Sequence, residues 1–247
     1  MSEHEEYTAE TYPSFGKKYN NEKAIISLTS WKARINTVSK TLFSLLKQCP
    51  EFHIVLVLSE EEFPKMMDEL PENLKLFADN EMIEFLWVYK NYRSFKKILF
   101  TMDKYRNVPI ISADDDFIYK FNYAEMLYSN YKKYHTGIAC TTSNKLNEIW
   151  PHGYGTLYPP NSLLYLENTL NIVKYLVSKG FNHDDGLLGR LYYKNPKNKM
   201  FKSLNYHWPD VCIIHTKATV KSALSANNKR EDFLKEERLI TKLLKGF

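Results

Sequence analysis

The chain has 247 residues, 44% hydrophobic and 26% charged, with a formal net charge of +5. That content of apolar side chains excludes global disorder, and a mild positive balance without a dense Lys/Arg block suits a small anionic partner and argues against nucleic acid. Cys49, Cys140 and Cys212 are odd in number and widely spaced, which speaks against a disulfide framework or a zinc site. No apolar run approaches the roughly 20 residues that cross a bilayer. The start, Met1-Ser2-Glu3-His4-Glu5-Glu6, is polar and acidic, unlike a secretory signal. The expectation is a cytoplasmic protein.

Residues 1–22 read as a loosely ordered lead-in. Lys23–Leu28 reads as a first buried strand, and Ser39–Gln48 as a helix with Leu42, Leu45 and Leu46 on one face, closed by Pro50. His53–Leu58 is a second strand, Glu60–Leu70 a short helix, Ile83–Tyr89 a third strand and Ser94–Tyr105 a helix. Val108–Ala113 is a fourth strand. Strands alternating with helices predict an α/β fold with a doubly wound, mostly parallel sheet. Further on, Tyr123–Tyr134 reads as a helix, Gly137–Thr141 as a short strand and His152–Pro160 as a Gly-, Pro- and Tyr-rich loop. Helices are predicted over Ser162–Lys179 and Asp184–Tyr193, then a strand over Val211–Ile214 ending at His215. Asn228–Lys245 reads as a charged amphipathic helix. Packing against the domain body is the favoured use of its apolar side chains; peripheral contact with the inner membrane surface is the alternative. No linker divides the chain, so one domain over residues 1–247 is expected, with a nucleotide-binding half (23–120), an acceptor half (121–227) and a C-terminal helix (228–247).

The fourth strand ends in Asp114-Asp115-Asp116. Adjacent like charges repel, and burying them unpaired is unfavourable. Mg²⁺ or Mn²⁺ relieves both, because each prefers carboxylate oxygens and readily shares a phosphate. Alternation along the strand puts Asp114 and Asp116 on one side and Asp115 on the other. A solvated acidic turn is the plain alternative. In a doubly wound sheet, ligands bind beyond the carboxyl ends of the strands at a change in strand order. Thr29-Ser30 and Asp114–Asp116 are then expected to face one crevice. There is neither a Gly-x-Gly-x-x-Gly nor a Walker A sequence.

Several segments together resemble bacterial nucleotide-sugar-dependent glycosyltransferases of the GT-A fold, enzymes of cell-surface polysaccharide and lipopolysaccharide synthesis. They are Ile26-Ser27-Leu28-Thr29-Ser30-Trp31-x-x-Arg34, Leu42-x-Ser44-Leu45-Leu46-x-Gln48 and Ser112-Ala113-Asp114-Asp115-Asp116-x-x-Tyr119. Gly155-x-Leu157-Tyr158-Pro159-Pro160 and Asp184-Asp185 extend the likeness over roughly residues 24–216. The resemblance implies that Asp114 and Asp116 hold Mn²⁺ or Mg²⁺ against the diphosphate of a donor, expected to be a UDP-sugar, with Asp115 beside them. It implies that Thr29, Ser30 and Arg34 line the nucleotide pocket, Arg34 reaching phosphate through its planar fork. Lys97, at a helix start, is a second phosphate contact, whereas Lys96 is expected on the solvated face. Asp184 is expected to cap its helix and Asp185 to act as general base towards an acceptor hydroxyl on a glycan or lipid-linked substrate, giving inversion. His215 is a candidate third metal ligand. Tyr154 and Tyr158 are candidates for stacking on sugar, in a glycine loop able to close. His152 and His183 are weaker acceptor-side candidates. The alternatives are a nucleotidyltransferase-like enzyme and a silent nucleotide- or carbohydrate-binding domain. The first is disfavoured by the absence of glycine from Ile25–Arg34, the second by the presence of both acidic sites.

Overall fold

The computed structural model describes residues 8, 10–48, 50–140, 151, 155–163, 166–181, 184–206, 208–214 and 230–244. Its centre is an eight-stranded sheet in the order β1-β4-β3-β2-β5-β8-β7-β9. The strands are β1 (Ser14–Gly16), β2 (Ala24–Thr29), β3 (Phe52–Ser59), β4 (Glu84–Val88), β5 (Ile110–Ser112), β7 (Ile138–Ala139), β8 (Thr156–Tyr158) and β9 (Lys202–Ser203). The contiguous four β4, β3, β2 and β5 are mutually parallel. Their near-continuous apolar runs suit strands covered on both faces, and β3 is buried along its whole length. β1 and β8 are added antiparallel at the two sides of this block. A separate ribbon pairs β6 (Phe117–Tyr119) antiparallel with β10 (Cys212–Ile214).

The helices are α1 (Val38–Leu46), α2 (Glu72–Asp79), α3 (Lys96–Lys104), α4 (Tyr123–Tyr134), α5 (Leu166–Ser178), α6 (Asp184–Lys194), α7 (Trp208–Val211) and α8 (Arg230–Leu243). Two apolar cores result. One joins alternate residues of β2–β4 (Ile26, Leu28, Leu56, Phe85) to Leu42 and Leu45 of α1 and Leu74 and Phe77 of α2. The other joins Ile25, Val55, Val57 and Leu86 to α3, α5, α6 and the end of α8. Alternation within each strand therefore feeds opposite faces of the sheet. Ile240 and Leu244 are buried in the second core, so the C-terminal helix uses these apolar residues against the body of the protein. Among the described residues no helix is long and apolar enough to cross a membrane.

Several sequence expectations are corrected. Part of the lead-in is ordered: β1 pairs with β4, and Gly16 has φ of 85° with a built Cβ 2.4 Å from the Ile83 carbonyl oxygen. Only glycine accepts both. The predicted helix at Glu60–Leu70 is instead a run of turns ending in a 3₁₀ turn at Met66–Glu69. The helix comes after it, opened by Pro71 and not stopped by it, as proline's fixed φ allows at a helix start. Within the predicted loop at His152–Pro160, Thr156–Tyr158 is a strand between β5 and β7.

Candidate functional site

β2 runs through β3 to β4 on one side, and the chain then returns to place β5 on β2's other side. The change in strand order lies between β2 and β5, the place where open α/β sheets bind their ligands. Thr29 Oγ1 donates to the Val57 carbonyl at 2.7 Å and ties the end of β2 to β3. After Ser30 the chain coils through turns, with Arg34 N–H donating to the Trp31 carbonyl at 2.9 Å. That coil brings the Arg34 side chain over the end of β5. Its Nη1 lies 2.5 Å from Asp115 Oδ1 and 3.2 Å from Asp116 Oδ2. Ser30 Oγ donates to Asp115 Oδ2 at 2.7 Å. Asp115 thus turns inward, 5% exposed, while the side chains of Asp114 and Asp116 are 32% and 14% exposed. The triplet lies past the end of β5, so strand alternation does not divide it as expected: Asp115 and Asp116 meet the same Arg34 nitrogen, while Asp114 turns to Lys97.

Lys97, in the first turn of α3, joins the two acidic segments. Its Nζ donates to Asp114 Oδ1 at 2.6 Å and lies 3.1 Å from Asp184 Oδ2 at the start of α6. Lys97 and Asp184 are both buried. Lys96 is not on a solvated face as expected. It is 1% exposed, and its ammonium bonds Glu62 at 3.0 Å and the Asn91 side chain at 3.1 Å, joining the loops after β3 and β4.

The segment after the triplet is held by polar side chains of α1 and of the residues just past its end, of which Ser44 and Gln48 figured in the sequence only through the resemblance. Thr41 Oγ1 donates to the carbonyls of Asp115 and Phe117 at 3.0 and 2.8 Å. Ser44 Oγ accepts from Tyr119 N–H at 3.0 Å. Gln48 donates to the Lys120 carbonyl at 2.8 Å and accepts from Ala124 N–H at 3.1 Å. Tyr119 in turn accepts from Asp114 N–H at 2.7 Å through its hydroxyl oxygen. Thr41 and Ser44 share one face of α1, and Gln48 lies just past its end. Buried polar side chains at that spacing, unexplained by the apolar pattern, were the available signal.

The carboxylates are poorly compensated. Burial, with the negative charge of Asp114 beside it, pushes Asp116 up to about 7 against the opposing pull of Arg34. Burial also lifts Asp184 to about 7, although Lys97 opposes this, and Asp185 and Asp114 add to the rise. Asp115 is raised by burial too, against Arg34 and Ser30. Burial works against the Lys97 ammonium, yet Asp114, Asp184 and Asp185 around it hold it well above its usual range. Five carboxylates surround two cations, Arg34 and Lys97, and leave an excess of negative charge. Hard oxygen donors in excess fit Mg²⁺ or Mn²⁺. Among the described residues no group of three or more His, Cys, Asp or Glu is arranged to hold a metal ion. Asp114 and Asp116, the more open carboxylates, are the two that could offer oxygens to such a cation.

His215, Tyr154, His152 and His183 lie outside the described residues. Tyr158 is corrected: it is 1% exposed and packs edge-on to Phe201 at 5.9 Å, so it belongs to the core and does not stack on sugar. Arg34 reaches carboxylates, where phosphate was expected. Asp185 is less buried than Asp184 and contributes its charge to the surroundings of Lys97.

No protein-family model matches the chain, and no curated protein matches it. Among solved structures, residues 1–349 of TarS from S. aureus align with a TM-score of 0.50 at 12% identity, over 90% of this chain and 65% of that one. The likeness is one of fold alone: a mostly parallel α/β sheet flanked by helices. A second S. aureus TarS structure aligns with a TM-score of 0.47 at 10% identity, over 90% of this chain and 43% of that one. The glycosyltransferase GlyE of Streptococcus pneumoniae TIGR4 gives 0.42 at 14%, over 75% and 45%. The chain thus spans less than two thirds of the length of each of these structures.

Proposed function

We propose that the chain is a metal-dependent glycosyltransferase that moves a sugar from a nucleotide-sugar, with a UDP-sugar as the expected donor, to a hydroxyl of a glycan or lipid-linked acceptor with inversion. The observation that carries this reading is the meeting of Asp114 and Asp184 on Lys97 at the switch point of the sheet. Two carboxylate segments far apart in sequence serve one crevice, as a reaction with a metal-bound donor and a hydroxyl acceptor requires. It also supports reading residues 23–227 as one catalytic unit, with the C-terminal helix packed on it.

In this reading Asp114 and Asp116 hold the cation. When bound, the cation supplies Lewis-acid stabilisation to the departing nucleoside diphosphate. Lys97 stands beside Asp114 to take up phosphate charge, and Thr29 and Ser30 form the floor on the nucleotide side. Asp185 accepts the proton of the acceptor hydroxyl as its oxygen attacks the anomeric carbon from the face opposite the leaving group. Asp184 and Lys97 fix the start of α6 and hence the direction of Asp185. In this reading His215 is a third metal ligand.

Calorimetry with UDP tests the reading. Wild-type protein should bind UDP with Mn²⁺ present and lose that binding in EDTA, and Asp116→Ala should not bind under either condition. Unchanged UDP affinity in EDTA would remove the metal bridge.

A further inference from the structure

We propose that Asp115 and Arg34 act as a positioning pair for Asp116, so that the middle carboxylate of the triplet affects the ligand only through the guanidinium. This rests on reading the site as one for a divalent cation and a diphosphate. Asp115 is committed inside the protein: Oδ1 accepts from Arg34 Nη1, Oδ2 accepts from Ser30 Oγ, and its carbonyl accepts from Thr41. At 5% exposure it has almost no surface to offer a ligand. Arg34 is equally fixed. It is 7% exposed, and its backbone is tied into the coil after β2 through Trp31 and Thr37.

One guanidinium nitrogen, Nη1, stands between two neighbouring carboxylates. It is closer to Asp115, at 2.5 Å, than to Asp116, at 3.2 Å. A guanidinium is permanently charged and planar, so its position sets both contacts at once. Asp115 takes the larger share of that charge. Asp116 is oriented by the longer contact and keeps most of its capacity for a cation. If Asp115 lost its charge, Arg34 would bear more strongly on Asp116 and compete with the cation for it. If Arg34 were lost, Asp116 would keep its charge without its orientation. Groups that orient metal ligands from behind typically change metal affinity by about 10–100-fold.

The test is calorimetric titration with Mn²⁺ alone and with UDP plus Mn²⁺, on protein whose folding is confirmed by near-UV circular dichroism. Asp115→Asn should weaken Mn²⁺-dependent binding by about tenfold or more. Ser30→Ala, which removes one hydrogen bond to Asp115 and no charge, should weaken it by about two- to fivefold. Adding Arg34→Met to Asp115→Asn should restore part of the loss, because the competing cation is gone. A purely structural pair would move the melting temperature in these variants and leave the affinities of the folded proteins alone. Wild-type affinity in folded Asp115→Asn overturns the proposal. Should Asp115→Asn fail to fold, wild-type affinity in Ser30→Ala overturns it. A double variant no better than Asp115→Asn removes the competition it depends on. If the wild-type protein binds neither Mn²⁺ nor UDP, the functional reading falls and this proposal with it, whereas wild-type binding matched by the variants defeats the positioning role alone.

Discussion

Buried carboxylates stand at both ends of the parallel strands, and the two ends treat them in opposite ways. At the start of β4, Glu84 is 1% exposed and fully engaged. Ser14 Oγ and Lys104 Nζ each donate to Oε1 at 2.7 Å. Tyr105 OH donates to Oε2 at 2.5 Å, and His53 Nε2 lies 2.7 Å from the same oxygen. Burial works against the charge of Glu84, but these partners outweigh it and hold the carboxyl at about 2. At the carboxyl ends of the strands, Asp116 and Asp184 are held at about 7 by burial and by neighbouring carboxylates. Burial alone therefore does not mark a site. A matched carboxylate contributes to stability, while an unmatched one stores unfavourable charge that a bound cation or a proton relieves.

The comparison is sharpened most by Asp185→Asn. With the proton acceptor removed, transfer should fall by a factor on the order of 10²–10⁴ while UDP binding survives. That corresponds to about 3–5 kcal/mol of barrier. Initial rates with saturating donor would measure it, and a wild-type rate would displace Asp185 and favour a retaining reaction. The matching change at the other end is Glu84→Gln, which leaves Lys104 without its buried counter-charge. Folding should lose about 3–5 kcal/mol in urea denaturation, with UDP binding of the folded protein unaltered. The sign of the pH dependence follows from a folded value of about 2 against 4.5 for the ordinary carboxyl. The contribution of Glu84 is present above about 4.5 and is lost as pH falls towards 2. Glu84→Gln should flatten the acid limb of stability in that window. An unchanged limb would mean that other carboxylates govern it.

A smaller effect belongs to Gly16→Ala, in the strand that lies over Glu84. Both the positive φ and the Ile83 carbonyl oppose a methyl group there. A loss of about 1–3 kcal/mol is expected from such a position, again without effect on nucleotide binding. Equal urea midpoints for mutant and wild type would show that β1 adjusts freely.

The difference between the two ends also explains what the sequence revealed. The parallel block was legible because β2, β3 and β4 are continuous apolar runs, and because Asp114–Asp116 ends such a run. The order of the crevice then followed from the alternation of elements. β1 and β8 were missed because they lie in Gly- and Pro-bearing stretches without an apolar run, and their existence depends on the partners β4, β5 and β7. Ion-pair partners were hidden for the same reason. Nothing local tells that Arg34 meets a carboxylate 81 residues later, or that Lys96 is buried on Glu62 while Lys97 turns to Asp114. Charge signs and strand ends can be read along the chain, but matched and unmatched charges are separated only by packing.

The smallest effect, and the one that bears most directly on the comparison, is expected from Asp184→Asn. Folding raises this carboxyl from 3.8 to about 7, so the folded chain holds the proton more tightly than the unfolded one. Its negative charge therefore opposes folding. The penalty is absent below about 3.8, grows through the interval and is complete above about 7. Asparagine keeps the shape of the protonated acid and never ionises. Lys97 retains Asp114 at 2.6 Å, so the substitution does not strand the ammonium. The variant should be more stable than wild type at pH 8, by about 1 kcal/mol, which is a rise of roughly 2–4 °C in melting temperature for a chain of this size. At pH 4 the two should melt together. Paired melting curves at the two pH values decide it. A variant less stable than wild type at pH 8 would place Asp184 with Glu84, as a matched carboxylate whose charge supports the fold, and the contrast between the two ends of the sheet would rest on Asp116 alone.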